Sequence, residues 1–231
     1  MIRYLTEMEI VNHKLTNVAY KASPNISGTL TPKYLIQHFD GSPNSTGAIS
    51  WMISPTSKVS AHLHIDRDGN ITQLVDFNRV AWHAGKSEWR GIVGLNSHSI
   101  GIEIQNVGNE EYTYKQMDSV IEVSKLLKET YGLKEIIGHE DIAPNRKTDP
   151  SGTKLNLFDW VAVLRGSCFD LQPYKTTSVL NVRRGQGAEY PVVTKLPKET
   201  EVYELNRINS WSKIQVKGSL QSGWVHNSYL K

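Results

Sequence analysis

The order of hydrophobic patterns along the 231-residue chain predicts an α/β domain with a central β-sheet flanked by helices, followed by a small all-β barrel. Before about residue 166, short strand-like runs alternate with helical patterns, which is typical of α/β proteins. Beyond it, strand-like runs alone recur every eight to twelve residues between turn residues, as in small barrels. We therefore expect a first domain at residues 1–166, a linker at 167–177 and a second domain at 178–231.

The first domain is predicted to contain strands at residues 34–38, 61–65, 71–75, 100–105 and 135–139. Turn residues at 66–70 (DRDGN) predict a hairpin between the second and third of these strands. The clearest helix is expected at 114–131, because Thr113 and Gln116 fit a capping box, apolar residues follow one face, and Gly132 ends the pattern. Shorter helices are expected at 48–53 and 157–164.

The second domain is predicted from five strand-like runs, at residues 180–182, 192–196, 201–205, 211–216 and 223–225. The segment before it lacks any period and contains Pro173, which indicates a linker. Residues 177–231 carry eight Lys and Arg against four Asp and Glu. This excess suits contact with an anionic surface such as a cell wall, although a solvated basic face would give the same composition.

Composition limits the class of protein. Hydrophobic residues make up 39% of the chain and charged residues 21%, as in water-soluble globular domains. No apolar run approaches the roughly 20 residues of a membrane helix, so we expect neither membrane insertion nor, at this near-neutral charge, a nucleic-acid partner. Residues 1–12 lack an apolar signal-peptide core, which predicts cytoplasmic synthesis and release by another route. Cys168 is the single cysteine, so no intrachain disulfide can form.

Three residues have the types and positions of a metal site. His38 and His139 each close a predicted strand, and Asp149 follows His139 by ten residues. Two imidazoles and one carboxylate leave a fourth tetrahedral position open, which is typical of a catalytic rather than a structural zinc site. A histidine at a strand end is nevertheless more often structural than ligating. Spacing alone therefore leaves both interpretations open.

Five stretches match a known family in order: residues 34–38 (YLIQH), 59–69 (VSAHLHIDRDG), 81–85 (AWHAG), 99–103 (SIGIE) and 138–150 (GHEDIAPNRKTDP). Through them the chain resembles the type 2 N-acetylmuramoyl-L-alanine amidases, a family that also includes peptidoglycan recognition proteins. Residues 180–187 (LNVRRGQG), 190–193 (YPVV) and 223–230 (GWVHNSYL) resemble bacterial SH3-like cell-wall-binding domains.

The amidase resemblance implies a mixed central sheet and hydrolysis of the amide bond between N-acetylmuramic acid and L-alanine, with peptidoglycan or muropeptides as partners. It implies that His38, His139 and Asp149 bind Zn²⁺ and that Glu103 and Lys147 assist the reaction. The residues themselves agree for Glu103, because a charged group in an otherwise apolar strand needs a partner or a purpose. Trp82 and His83 correspond to positions where the family lines its substrate groove.

The chain departs from the family pattern at a few positions. Phe39 and Asp40 follow His38 where small polar residues are more frequent, and Ser151 replaces a frequent glycine. Ala61 aligns with a tyrosine that assists the zinc in some relatives, so the chain resembles the branch that relies on glutamate. We expect His62 and His64 to be packing residues or hydrogen-bonding supports of the site.

Three functional interpretations remain. The first is a wall-degrading endolysin or autolysin-like enzyme, favoured by the predicted wall-binding domain and the missing signal peptide. The second keeps the chemistry but directs it at muropeptide fragments, in the cytosol or after specialised export. The third is a non-catalytic peptidoglycan-recognition protein, a class that loses a zinc ligand, whereas this chain retains all three.

Overall fold

A computed structural model describes residues 8–231 of the chain. Residues 1–7, which begin the predicted first domain and the segment predicted to lack a signal peptide, lie outside the described residues. The first part of the described chain has short and medium strands: β1 (Ile10–Val11), β2 (Lys14–Leu15), β3 (Ala19–Tyr20), β4 (Ile26–Thr29), β5 (Tyr34–Phe39), β6 (Leu63–Ile65), β7 (Ile71–Gln73), β8 (Arg79–Ala81), β9 (Glu88–Trp89), β10 (Ile92–Val93), β11 (Ser99–Ile104) and β12 (Glu135–Gly138). Its helices are α1 (Ser45–Met52), α2 (Tyr114–Tyr131), α3 (His139–Ile142) and α4 (Trp160–Gly166), with a 3₁₀ turn at Leu95–His98.

The central sheet is mixed and has six strands in the order β12-β5-β11-β6-β7-β3. Strands β12, β5, β11 and β6 run parallel to one another. Strand β7 is antiparallel to β6, and the two form a hairpin around residues 66–70. The predicted hairpin is therefore confirmed, and so is the predicted mixed sheet flanked by helices. The short strands β3, β4 and β8 were not predicted, because two to four residues are too few to establish a period.

Helix α2 covers one face of this sheet and has the bounds that the sequence predicted. The side chains of Thr113 and Gln116 form the reciprocal capping box, and Gly132 ends the helix in a left-handed conformation with φ of 61°. Its apolar stripe, including Val120, Val123 and Leu127, joins the main core. Burial of this stripe fixes which face of the sheet is apolar and leaves the other for polar side chains.

A row of polar side chains crosses the opposite face of the sheet. Glu103 on β11 pairs in register with His38 on β5 and with His64 on β6. Paired residues of neighbouring strands point to the same side, so the three side chains line up across the sheet. Isoleucines before and after Glu103 point to the α2 side and are fully buried. The alternation along β11 thus separates the core from the polar row.

The second part of the chain is an all-β region. Its strands are β13 (Pro173–Lys175), β14 (Leu180–Arg183), β15 (Val192–Leu196), β16 (Glu201–Ile208), β17 (Trp211–Val216) and β18 (Ser222–His226), followed by a 3₁₀ turn at Asn227–Tyr229. They pair antiparallel in the order β13-β16-β17-β18-β14-β15 around a separate core. The five predicted strands are confirmed with small shifts at their ends. Within the predicted linker, β13 adds a strand to this sheet, and the domain boundaries themselves stay a prediction.

The two parts meet through a buried interface. Trp224 of β18 packs against Trp89, with ring centroids 6.1 Å apart, in a cluster that also contains Ile36 and Ile137 of the central sheet. Beside it, Lys213 of β17 forms ion pairs with two neighbouring carboxylates of the first part. We call Glu140, Asp141 and Lys213 the interface cluster. Between residues 8 and 231, no helix has the length and apolar character required to cross a membrane.

Candidate metal centre and its cleft

The sheet topology brings the predicted metal ligands together. Strands β5 and β12 are parallel neighbours in which Gly138 lies opposite Gln37. His38 and His139, the next residue of each chain segment, therefore lie side by side at the carboxyl ends of these strands. The chain then returns through residues 140–148, and the carbonyl of Asp149 accepts a hydrogen bond of 2.9 Å from the backbone N–H of Glu140. These three predicted ligands, His38, His139 and Asp149, are called the metal cluster.

The metal cluster is compact and buried. His38 Nδ1 lies 2.8 Å from His139 Nδ1, and Asp149 Oδ2 lies 3.1 Å and 3.0 Å from these two nitrogens. Tetrahedral ligands at zinc bond lengths would stand roughly 3.3 Å apart, so the three atoms already lie near the spacing that the ion requires. In the described part of the chain, this is the group of His, Cys, Asp and Glu side chains arranged to hold a metal ion.

Hydrogen bonds on the far side of each imidazole set its tautomer. His139 Nε2 lies 3.0 Å from the carbonyl oxygen of Ala84, which can only accept, so Nε2 carries the proton. His83 Nε2 faces the carbonyl of Ser99 at 3.3 Å, which leaves His83 Nδ1 to accept from His38 Nε2 at 3.0 Å. Both ligand Nδ1 atoms therefore present lone pairs to each other and to the Asp149 carboxylate. Three facing lone pairs repel unless a cation lies among them, so the donor set fits zinc.

The protonation states agree with metal binding. Burial, together with the neighbouring His139, lowers the pKa of His38 to about 4, which keeps its imidazole neutral at physiological pH. Burial alone would raise the pKa of Asp149, but the closeness of His139 and His38 holds the pKa of this carboxyl below its usual range. Neutral imidazoles and an ionised carboxylate are the forms that bind zinc.

Glu103 lies beside the metal cluster and has an unusual environment. Its Oε2 atom is buried and has no hydrogen-bond partner among residues 8–231. Burial, followed by the nearby charges of Asp149 and Asp40, raises the pKa of Glu103 well above its ordinary value. A buried carboxyl without a partner is costly for the fold, and such groups are concentrated at functional sites. The predicted assisting role of Glu103 stays a prediction that this geometry favours.

A cleft of about 300 Å³ opens onto these residues. Its walls include Phe39, Trp51, Trp82, Glu103, Lys147 and Asp149. Lys147 is half-buried, as is Trp82, while Trp51 is 58% exposed. The lining of the cleft thus combines aromatic side chains with a cation and carboxylates, which suits a ligand that has both apolar and polar parts.

The two predicted substrate contacts differ in their surroundings. Trp82 forms part of the cleft wall, and its Nε1 donates to Ser27 Oγ at 3.2 Å. His83 also borders the cleft, yet it is 92% buried and both of its ring nitrogens are engaged with His38 and Ser99. A Cβ at Gly101 would come within 2.4 Å of the His83 ring, so the glycine makes room for it. The geometry therefore gives His83 a supporting position behind His38.

Two further histidines have different surroundings. His62 is fully buried, accepts from the Gly101 N–H at 3.0 Å and faces the Arg79 carbonyl at 2.9 Å. His64 Nε2 lies 2.9 Å from Asp40 Oδ2. Sequence reasoning missed Asp40 as part of the polar face, although its position two residues after His38 indicated the same side of the strand.

Comparison with known proteins agrees with this fold. A family model described as N-acetylmuramoyl-L-alanine amidase matches residues 28–152, more than half of the chain. The chain therefore belongs to the N-acetylmuramoyl-L-alanine amidase family. A second model, for the bacterial SH3 domain, matches residues 178–231.

Individual relatives extend this result. The chain is 44% identical over 105 residues to the 1,6-anhydro-N-acetylmuramyl-L-alanine amidase AmpD of Escherichia coli (strain K12), covering 45% of this chain and 55% of that protein. It thus spans about half the length of the curated relatives it matches. A crystal structure of a selenomethionine AmpD derivative aligns with a TM-score of 0.57 and 30% identity, covering 69% of this chain and 99% of that one. AmiD from E. coli, solved with anhydro-N-acetylmuramic acid-L-Ala-D-gamma-Glu-L-Lys, aligns at 0.55 and 25% identity, covering 71% and 67%.

Proposed function

We propose that this protein hydrolyses the amide bond between N-acetylmuramic acid and L-alanine in peptidoglycan or its muropeptide fragments, with a zinc ion held by His38, His139 and Asp149. The observation that carries the proposal is the metal cluster, in which three lone-pair donors face one another within 3.1 Å beside a cleft that His139 and Asp149 help to line. Membership in the N-acetylmuramoyl-L-alanine amidase family supports the assignment of the bond that is hydrolysed. The complete ligand set argues against a recognition protein that only binds.

The chemistry divides between the metal and the chain. Zinc in such a site acts as a Lewis acid and lowers the pKa of water from 15.7 to about 7. Glu103 has a free carboxylate oxygen beside the metal cluster, so it can take a proton from the attacking water and pass it to the departing amine of L-alanine. Lys147 lines the same cleft and can stabilise negative charge that develops on the lactyl carbonyl oxygen.

The test digests two substrates with zinc-loaded protein and identifies the products by mass spectrometry. One substrate is purified peptidoglycan, and the other is a soluble anhydromuropeptide of the kind bound by the AmiD neighbour. We expect free peptides beginning with L-alanine, and their loss in Asp149→Ala. Asp68→Ala, which removes an exposed carboxylate, is the matched control and should retain activity. The absence of such peptides from both substrates would contradict the proposal.

The relative rates on the two substrates distinguish the two kinds of amidase. We propose that the wall itself is a substrate, because the C-terminal region matches a bacterial SH3 domain and carries a groove of about 330 Å³ lined by Arg183, Trp211, His226 and Tyr229. Aromatic and basic side chains in one groove suit a peptide that carries carboxylates. Faster release from intact peptidoglycan would support a lytic role of the endolysin or autolysin type, and activity confined to the soluble muropeptide would support fragment processing.

A further inference from the structure

The interface cluster joins the C-terminal domain to the segment that carries two of the metal ligands. We propose that Lys213 is a positioning residue for the metal site. The SH3-like domain is then a structural part of the catalytic unit, in addition to any role in binding the cell wall. The proposal rests on the metal site of the proposed function. Lys213 Nζ lies 2.6 Å from Asp141 Oδ2 and 3.1 Å from Glu140 Oε1. The lysine side chain is 5% exposed and the two carboxylate side chains 1% each.

Glu140 links the two metal-ligand segments to each other. It follows His139 directly, and its backbone N–H donates to the Asp149 carbonyl at 2.9 Å. Its Oε2 accepts from the backbone N–H of Ser151 at 3.0 Å, and its Oε1 accepts from the Ser151 hydroxyl. The partners of Glu140 are thus Asp149 itself and Ser151, two residues further along the chain. A shift of the Glu140 side chain would therefore move His139 and Asp149 relative to each other.

Asp141 fixes the same segment at its start. Its Oδ2 accepts from the backbone N–H of Gly138 at 2.8 Å, which caps the short turn beginning at His139. Its Oδ1 accepts from Trp224 Nε1 of the second sheet at 3.1 Å. Asp141 is therefore bonded both to the residue before a metal ligand and to the C-terminal domain.

The role of Lys213 follows from the charges. Glu140 and Asp141 are adjacent and buried, so their negative charges repel and are desolvated unless a cation lies between them. Lys213 supplies that cation, and its Nζ also lies 4.0 Å from the centroid of the Trp160 ring. Without it, the two carboxylates would separate or admit water, and either response would displace the hydrogen bonds that set the His139–Asp149 spacing. Metal sites require their ligands within about 0.5 Å of the productive geometry.

The chain offers controls that separate positioning from general docking of the domain. Lys217→Met removes a lysine in the turn directly after β17, which pairs with Glu201 and has 55% of its side chain exposed. Asn206→Ala removes a different contact across the interface, in which Arg90 donates to Asn206 Oδ1 at 2.7 Å. Neither of these side chains is hydrogen-bonded to residues 138–151. Trp224→Phe keeps an aromatic ring but removes the indole N–H bonded to Asp141.

The experiment measures the zinc dissociation constant of each full-length variant by competition with a chromogenic chelator, well below the melting temperature of each. We expect Lys213→Met to bind zinc about 10- to 100-fold more weakly, the range for lost supports of metal ligands, and Trp224→Phe to weaken it less in the same direction. Lys217→Met and Asn206→Ala should bind zinc like wild type. The triple variant Lys213→Met, Glu140→Gln, Asp141→Asn should bind zinc more tightly than Lys213→Met, because neutral groups no longer repel, but less tightly than wild type, because each amide keeps only one acceptor oxygen.

Several results would overturn the proposal. Wild-type zinc affinity in Lys213→Met, with or without a lower melting temperature, would limit the lysine to a structural role. Equal losses in Lys213→Met and Asn206→Ala would assign the effect to domain docking in general. If Lys213→Met does not fold, unchanged affinity in Trp224→Phe decides against the proposal and a loss supports it. Failure of wild type to bind zinc would instead remove the proposed function itself.

Discussion

Two clusters of buried polar side chains, the metal cluster and the interface cluster, adjoin each other at residues 139 and 140. They differ in how their charges are balanced. In the metal cluster, His38, His139 and Asp149 direct lone pairs at one another within 3.1 Å. In the interface cluster, Lys213 lies between two carboxylates, and every one of those carboxylate oxygens has a hydrogen-bond donor. His139 belongs to the first cluster and its neighbour Glu140 to the second.

The difference indicates how a functional polar group can be recognised in a buried environment. In a satisfied cluster, each buried polar atom has a hydrogen-bond partner within the protein, and such a cluster favours one specific arrangement of the chain. An unsatisfied cluster is costly for the fold, and such groups are concentrated where a ligand or a reaction requires them. Glu103 belongs with the second kind, since its Oε2 is buried without a partner among residues 8–231. The variants below test whether this distinction separates function from stability in the protein.

The largest effect is expected at Glu103. Glu103→Gln keeps the size of the side chain but removes its ability to take up a proton, so kcat should fall by about 10²- to 10⁴-fold. Zinc affinity should stay unchanged, and the free energy of unfolding should stay equal or rise, because a buried carboxyl without a partner is lost. The measurements are peptide release, chelator competition and urea unfolding. Glu129→Gln, on the exposed face of α2, is the matched control. A full rate in Glu103→Gln would place the proton transfer elsewhere.

The second effect concerns His83, which the sequence predicted as a substrate contact and the geometry places behind His38. His83→Phe keeps an aromatic side chain but removes His83 Nδ1, the atom that accepts the hydrogen bond from His38 Nε2. If His83 is a support, zinc affinity or kcat should fall about 10- to 100-fold with little change in KM. If it is a substrate contact, KM should rise while zinc affinity stays at the wild-type value. Steady-state kinetics together with chelator competition separate the two outcomes.

The sequence predicted those features that depend on neighbouring residues. The bounds of α2 follow from Thr113, Gln116 and Gly132, all within the helix or beside it, and these signals agreed with the apolar stripe. The hairpin at 66–70 follows from local turn chemistry in the same way. Both predictions were confirmed because local propensity and tertiary packing favour the same conformation there.

Features that depend on distant residues were not predictable from one sequence. Lys213 lies more than seventy residues from Glu140 and Asp141, and nothing in its strand distinguishes it from an exposed lysine. The position of His83 behind His38 depends on the packing of its ring against Gly101 of another strand. Even the metal ligands required the family resemblance, because spacing alone left a structural interpretation open.

The smallest effect tests a histidine that is buried near the cleft but satisfied by backbone groups. Burial lowers the pKa of His62 from 6.5 to about 4, with partial compensation by its hydrogen bond to the Arg79 carbonyl. A folded-state pKa below the unfolded value gives stability that is present above about pH 6.5 and lost as pH falls towards 4. At pH 5 this linkage should remove about 2 kcal/mol from the free energy of unfolding. His62→Gln cannot take up that proton and should lose correspondingly less.

The comparison uses urea unfolding of zinc-free protein at pH 7.5 and pH 5, with chelator present so that metal release does not contribute. All other residues are common to the two proteins, so the difference between wild type and His62→Gln reports the contribution of His62 together with its effect on the pKa of the neighbouring His83. An equal pH-dependent loss in the two proteins would show that His62 does not titrate in this range. A loss smaller by about 2 kcal/mol in the variant would place His62 among the satisfied groups, whose removal changes stability.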